Sequence, residues 1–499
     1  MSRRLLVVTA VHAIFSQFGD VLLSCLNLLN VPIRKMFNTS IHEHYGPIDD
    51  ERFEWIYSVS ASTMMLGLLV GFLIMGDLMD RLGRKESAIF VRCILGFASA
   101  GAMVLSFALC RFELFVIGHF LAGVVAALKV VLLIYMAECS PDDKRGFTSM
   151  LLNSGSVIAV LVFTPLCLPS VIGSDTLWCV LPALCALMAV IHLILASSFP
   201  QSPKQLYIQA RREEEAIAAL QYYYGSDYDI DDAIEEMETE RSYESHTSVS
   251  FKDIMRHRTY RYSFVLVLLS AFTPPLSALN MKLQYLLSWF ISYGLSQSQA
   301  TTAITVVNLV ALPLCFLAPW MIERFGRRRL FAVITSLCAL EWLLFGFAEL
   351  LTSVSSQAAT ASWLLATIAA TMGQCSVNIG LLIMAPIMIS EVCPQNTRAI
   401  ISQISQSLPA AIGMVEVAVF PNLRSSCGSG IFFLLAGGSA LLSFTLYKMM
   451  LETSGMRVDE IVRQIHNVRS GADTIGGGQA RGYGTIADDE TSSLVSAHQ

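Results

Sequence analysis

Several ionisable residues lie inside long apolar runs of this sequence, and four of them are candidates for chemistry: Asp20, His119, Lys129 and Lys282. A charge inside a membrane-spanning segment is costly, so by default it marks a solute path or a coupling site. Asp20 and His119 lie at similar depths in their runs, and a histidine beside a carboxylate can titrate near neutral pH. This pair predicts proton coupling. The alternatives are a helix-stabilising contact for Asp20 and a headgroup position for His119.

The two lysines carry a different prediction, because an ammonium group inside a span can bind an anionic solute. Lys129 lies about two turns from the end of its run, so its side chain can instead snorkel to the interface. Lys282 closely follows Asn280, and both belong to the same apolar run. We therefore predict that Lys129 and Lys282 line a solute path.

Two loop motifs each occur twice, once in either half of the chain. GDLMDRLGRK at Gly76–Lys85 is matched by ERFGRR at Glu323–Arg328, and AECSPDDKRG at Ala137–Gly146 is matched by SEVCPQNTRA at Ser390–Ala399. Repeats at equivalent places indicate two parallel halves related by an axis along the membrane normal.

The repeated loops combine acids with arginines at the ends of neighbouring helices. Ion pairs between them predict a gate that is closed in one state and broken in another, whereas the alternative is that the charges only retain the loops in the cytoplasm. The predicted gate residues are Asp80, Arg81, Glu138, Arg145, Glu323, Arg324, Glu391 and Arg398.

The composition is that of a lipid-embedded protein. Of 499 residues, 54% are hydrophobic and 14% are charged, against roughly a quarter charged in an ordinary soluble domain. The net charge of -6 gives no reason to expect nucleic-acid binding. The 12 cysteines show no metal-ligand spacing. No nucleophile–base pair or phosphate-binding glycine loop is found, so we expect neither an enzyme nor a cofactor or metal.

Apolar runs of about 20 residues, the length that crosses a bilayer, recur twelve times and fix the organisation of the chain. We predict an all-α membrane protein with two pseudo-symmetric six-helix bundles at 1–198 and 261–451, the first with an outer loop at 31–54. A cytoplasmic helical linker covers 199–260, and a largely disordered cytoplasmic tail covers 452–499, where an adaptor protein could bind.

Lysines and arginines concentrate in the loops on one side, which predicts that this side and both termini are cytoplasmic. Successive loops alternate between the two sides of the membrane, which places the sequon Asn38-Thr39-Ser40 outside, so Asn38 is a candidate glycosylation site. The plasma membrane is the expected location.

The repeated loops, together with PQSPKQL at Pro200–Leu206 and LETSGMRVDEI at Leu451–Ile461, resemble the sugar-porter branch of the major facilitator superfamily, and its facilitative hexose transporters in particular. The resemblance begins at Gln17-Phe18-Gly19 and covers nearly the whole chain. It implies twelve helices, a central cavity between the halves and a rocker-switch cycle.

The sugar-binding motifs of that family are altered here. The helix-seven Gln-Gln-Leu-Ser-Gly-Ile-Asn motif of the family corresponds to Pro274–Asn280, which keeps the serine (Ser277) and the asparagine (Asn280) but neither glutamine. Asn153 stands where the family has a helix-five glutamine. A buried hydroxyl without a partner costs about 1–3 kcal/mol, so glucose is not expected as the substrate. On this resemblance we assign solute binding to Gln17, Asn153 and Asn280, besides the two lysines.

We therefore predict a transporter of a sugar-like or other small organic solute that works by alternating access, with a proton as a candidate co-substrate. Two alternatives remain: an organic-anion carrier that uses the cavity lysines, and a sensor or scaffold that keeps the carrier fold without transport.

Overall fold

Twelve long helical segments make up most of the part of the chain that the structure describes. The computed structural model describes residues 2–225, 230–244, 251–354, 359–393 and 395–450. Within these ranges twelve segments are long and apolar enough to cross a membrane, which confirms the predicted all-helical, twelve-span fold. Numbered one to twelve, the spans are Arg3–Tyr45, Asp50–Arg81, Glu86–Leu109, Phe112–Glu138, Lys144–Leu166, Val180–Ser197, Tyr260–Ser292, Gln297–Ala318, Arg327–Thr352, Ala359–Ile389, Ile400–Cys427 and Gly430–Met449.

The contacts between spans have the symmetry that the loop repeats predict. Span two packs against span eleven, and span five packs against span eight, so each bundle contributes its second and fifth helices to the boundary. Span one meets span seven near the same boundary. An axis along the membrane normal exchanges the two contacts.

Helices between spans six and seven lie on one side of the protein, here called the linker face; the opposite side is the far face. Helix Glu213–Tyr224 joins the first bundle, because the hydroxyls of Tyr135 and Tyr223 both donate to the Pro200 carbonyl, at 2.6 and 2.7 Å. Burial raises the pKa of Tyr223, which keeps its phenol a neutral donor. The Ser2 hydroxyl also donates to the Tyr223 carbonyl, at 2.5 Å.

The other two linker helices lie beside different bundles. Helix Ile230–Glu244 packs on other linker residues beside the first bundle, where the Tyr207 hydroxyl donates to Glu238 at 3.0 Å. Helix Phe251–Arg256 packs on the second bundle, with the Phe251 ring 5.8 Å from that of Phe264. The linker is therefore divided between the two bundles.

The first and fourth spans of each bundle are broken, while their neighbours run through. Span one stops at Phe15 and resumes at Phe18, and span four is interrupted at Leu128. Span seven comprises Arg258–Ala271, Thr273–Leu276 and Leu279–Ser292, and span ten passes through a π-helical turn at Val377–Leu381 before Met384–Val392.

Identifiable residues cause two of these breaks. Pro274 and Pro275 lack the amide hydrogen that a continuous helix needs in span seven. Gly380 in span ten has φ 149°, a backbone conformation that residues with a Cβ rarely adopt.

The break in span seven frees the carbonyl of Leu276. This carbonyl accepts from Trp342 Nε1 at 2.8 Å and from Ser439 Oγ at 2.5 Å. In span four, by contrast, the residues on either side of Leu128 do not explain the break.

The predicted far-face loop at 31–54 is partly helical. Helix Asn30–Tyr45 continues span one and ends at Gly46, whose φ is 86°. Its apolar side, including Phe37, is buried against the first bundle, which explains why the helix persists beyond the span. Asn38 is exposed on the opposite side of this helix.

Spans two and four are in backbone contact through glycines. A Cβ at Gly123 would lie 2.0 Å from the Met64 carbonyl oxygen, and one at Gly67 would lie 1.9 Å from that of Phe120. Close helix approach at small residues is a common way of packing helices in membranes.

We predict that Gly123→Ala destabilises the protein by about 1–3 kcal/mol, because its methyl group forces two backbones apart. Thermal unfolding in detergent measures this. Gly101→Ala is the matched control, since a Cβ at Gly101 meets nothing within 4 Å. Equal melting temperatures for the two variants would contradict the proposed contact.

Candidate functional site

Four of the five residues assigned to solute binding lie beside helix breaks. Gln17 lies at the break of span one, Lys129 directly follows that of span four, and Asn280 and Lys282 follow that of span seven. Asn153 is the exception, because it is exposed on an unbroken part of span five. Broken helices at membrane depth expose backbone groups and are typical of transporter binding sites.

Gln17 stabilises its own break. The side chain is fully buried, and Nε2 donates to the carbonyls of Ala13 at 3.1 Å and His12 at 3.3 Å. It also lies 3.4 Å from the Leu152 carbonyl of span five. In this state Gln17 therefore links spans one and five and holds the backbone at the break.

Asp20 and Lys129 form an ion pair between spans one and four, with 2.7 Å between Oδ2 and Nζ. Their side chains are 16% and 14% exposed, so the pair is shielded yet still reachable by water. A partner at this distance compensates both charges. His119 lies elsewhere, with Nδ1 3.3 Å from the Ser60 carbonyl, and does not pair with Asp20 in this state.

Lys282 and Glu341 form a second, deeper pair between spans seven and nine, at 2.5 Å. Their side chains are 6% and 1% exposed. Span ten leaves room for the carboxylate only because Gly373 faces it: a Cβ there would lie 2.0 Å from Glu341 Oε1. Glu341, the buried acid in span nine, is therefore the counter-ion of Lys282.

Asn280 also points into the second bundle. Its Nδ2 donates to Glu416 Oε2 of span eleven at 3.3 Å, and it packs against Gly413. Asn280 and Lys282 therefore face their own bundle in this state, away from the boundary between the halves.

Other polar residues of spans one and seven meet at that boundary on the far face. Asn27 Nδ2 donates to the Lys282 carbonyl at 3.2 Å, and Asn30 Nδ2 donates to Ser288 Oγ at 2.6 Å. Gln284 approaches Met64 of span two. The space between these residues is about 30 Å³, far below the roughly 300–1,000 Å³ of small-molecule sites, so these contacts leave no room for a solute here in this state.

Sequence reasoning did not select Asn27, Asn30 or Gln284. A signal was present, since Asn27 and Asn30 have the three-residue spacing of one helix face and Gln284 stands four residues after Asn280. A neutral amide inside an apolar run is a weaker signal of a functional site than a charge, because it is less costly there. His119 also lines this space.

On the linker face each bundle has the same ion pair in equivalent loops. Arg84 Nε contacts Glu138 Oε1 at 3.4 Å in the first bundle, and Arg327 Nε contacts Glu391 Oε1 at 3.0 Å in the second. Ser202 of the linker also donates to Glu138. The acids Glu138 and Glu391 thus pair within their own bundle, with the second arginine of each loop motif.

The remaining predicted gate residues are placed differently. Asp80, Arg81 and Arg324 are exposed, with Arg324 stacked 5.5 Å above the Trp320 ring. Arg145 Nε donates to the Ala137 carbonyl at 3.2 Å. The side chains of Glu323 and Arg398 lie outside the described residues.

Comparisons with known proteins agree with this architecture. The family model described as "Sugar (and other) transporter" matches residues 25–464. The chain belongs to the sugar transporter family. A mouse relative, facilitated glucose transporter member 7 of solute carrier family 2, is 25% identical over 462 residues, which cover 91% of this chain and 89% of the relative. Mouse member 4 is 30% identical over 339 residues, which cover 64% of this chain and 65% of that one.

Solved structures show the same major facilitator fold. The proton:xylose symporter XylE, bound to 6-bromo-6-deoxy-D-glucose, superposes with a TM-score of 0.71 at 19% identity, over 92% of this chain and 98% of that one. The inward-open xylose transporter from E. coli gives 0.70 at 16% identity, over 92% and 99%. As a member of the sugar transporter family, the protein is a multi-pass membrane protein that belongs with transporters and not with enzymes.

We predict that Glu341→Leu destabilises the protein by about 3–5 kcal/mol, because it leaves Lys282 as an uncompensated buried charge. The double variant Lys282→Leu/Glu341→Leu should recover most of that loss in thermal unfolding. Arg52→Leu removes an exposed pair with Asp49 and should cost less than about 1 kcal/mol. A double variant no more stable than Glu341→Leu would show that the pair is not the cause.

Proposed function

We propose that this protein transports a small, neutral, polar solute across the membrane by alternating access of the two bundles. The observation that carries the proposal is the set of four breaks in the first and fourth span of each bundle. Each break leaves irregular backbone or a polar side chain at membrane depth, and such groups are the hydrogen-bond partners that a solute needs.

A neutral solute fits the charge distribution. Lys129 and Lys282, the two lysines that could bind an anion, are already compensated by Asp20 and Glu341. An anionic solute would have to replace a carboxylate that is held at hydrogen-bond distance, which leaves that carboxylate without its counter-ion. We infer that Asn27, Asn30 and Gln284 supply the amide partners of solute hydroxyls when the far side opens.

The narrow space on the far face supports a two-state cycle. Contacts across the boundary, such as Asn30 with Ser288, must break for the solute to enter from the far face. The ion pairs on the linker face hold each bundle together internally, so we propose that they keep the helix ends of a bundle rigid while the bundles rotate. Gate roles for the exposed Asp80, Arg81 and Arg324 stay a proposal.

We further propose that the linker face is cytoplasmic and that the protein acts in the plasma membrane. The loops with the most lysines and arginines lie on that face, and the exposed Asn38 lies on the other. Relatives whose names describe facilitated glucose transport support a sugar-like solute. Asn38 is then available for glycosylation.

The test of function is uptake into proteoliposomes. We expect saturable uptake of at least one neutral sugar or polyol from a radiolabelled panel that also contains organic anions and cations. Protein-free liposomes are the background control. Ligand-induced thermal shifts without uptake of any compound would instead support a sensor, and uptake restricted to anions would support the organic-anion alternative.

Alternation predicts that joining the far-face ends of the halves stops transport. The variant Asn30→Cys/Ser288→Cys, whose parent side chains are 2.6 Å apart across the boundary, should lose most uptake on oxidation and regain it on reduction. The matched control is Thr335→Cys/Ser443→Cys, at 2.8 Å within the second bundle. Its uptake should survive oxidation. Full uptake by the crosslinked Asn30 and Ser288 variant would contradict alternating access.

We propose that proton coupling uses Asp20 with Lys129 as its partner, because a proton on the carboxyl group would remove the charge that holds the ammonium group. We predict that an imposed pH gradient drives accumulation of the solute by the natural protein and not by Asp20→Asn. Accumulation measured with and without the gradient distinguishes the two. Uptake by the natural protein that is indifferent to the gradient would identify a facilitative carrier.

A further inference from the structure

A large apolar crevice opens between spans eleven and twelve, apart from the boundary between the halves. Its volume is about 460 Å³, within the range of roughly 300–1,000 Å³ that holds small molecules. Met281 of span seven and Trp342 of span nine form part of its floor, and Leu435 of span twelve forms one wall. At its rim, Val415 and Leu423 are exposed.

The depth of the crevice places it in the hydrocarbon of the far leaflet. Arg424, which pairs with Glu349 at 2.7 Å, marks the far end of span eleven. Glu416 lies two turns deeper on the same helix, about 12 Å along its axis. Leu434, on the outer face of span twelve, is 71% exposed, as expected for a lipid contact. An occupant of the crevice therefore enters from the bilayer.

Glu416 is the single ionisable residue among those that line the crevice. Within the described part of the chain, its hydrogen-bond partner is Asn280 Nδ2, which reaches Oε2 at 3.3 Å. An amide compensates no charge, and the described lysines, arginines and histidines include no ion-pair partner for Glu416. A carboxyl group without a counter-ion in an apolar site favours its neutral, protonated form, whereas a cation in contact with it favours the carboxylate.

We propose that this crevice binds a lipophilic amine, a molecule with one protonated amino group on an apolar body that dissolves in the bilayer. The ammonium group donates to Glu416 beside Asn280, and the body fills the apolar space along span eleven. An alcohol of the same shape would keep the hydrogen bond without the charge, and an acid would meet repulsion from the carboxylate. This site does not depend on the proposed transport function.

The test uses three probes with the same chain, namely dodecylamine, dodecan-1-ol and dodecanoate, on protein reconstituted in phosphatidylcholine liposomes. Radiolabelled dodecylamine should bind saturably above the signal of protein-free liposomes, and the alcohol and the acid should compete less well than the amine. Glu416→Gln, which can keep the contact with Asn280, should weaken amine binding about tenfold or more, equivalent to about 1.4 kcal/mol.

Two further variants separate a binding role from damage to the fold. Ala411→Phe fills the crevice and leaves the carboxylate in place, so it should also lose the amine. Glu349→Gln changes the acid that pairs with Arg424 outside the crevice, so amine affinity should be unchanged. Equal competition by the three probes, or amine binding unaffected by both Glu416→Gln and Ala411→Phe, would overturn the proposal.

Discussion

In a bilayer every backbone amide and carbonyl group needs a partner inside the protein, since hydrocarbon offers none. An unbroken helix meets this requirement by itself, and a broken one does not. The four broken spans therefore depend on side chains such as Gln17, Trp342 and Ser439, which take up the carbonyl groups that the helix releases. Where these spans meet, the protein combines irregular backbone with polar side chains, and the remaining spans form a regular support around them.

Charge compensation is the second constraint on this interior. Asp20 with Lys129 and Lys282 with Glu341 each join a broken span to another span of the same bundle, so they also fix the broken spans within their own halves. Among the described residues, the hydrogen bonds between spans one and seven join neutral groups, as between Asn27 and the Lys282 carbonyl. Neutral hydrogen bonds across a boundary can be exchanged when two bodies move, while ion pairs hold each body together.

The sequence predicts the spans well, because a run of apolar residues of fixed length is a local property. The breaks at Pro274-Pro275 and Gly380 also carry local signals, whereas the one at Leu128 does not. The ion-pair partners of charged residues are harder to predict from the sequence. Glu341 lies far from Lys282 in the chain, and only the packing of spans seven and nine brings them together. In the loop motif, Arg84 rather than Arg81 reaches Glu138, a difference of less than one helical turn that depends on the loop conformation.

The divided attachment of the linker has a mechanical consequence. Helix Glu213–Tyr224 is held by the first bundle, helix Ile230–Glu244 is held by linker residues beside that bundle, and helix Phe251–Arg256 is held by the second bundle. A rotation of one bundle against the other would therefore change the distance between helix Glu213–Tyr224 and helix Phe251–Arg256, so that distance would report which state the protein is in.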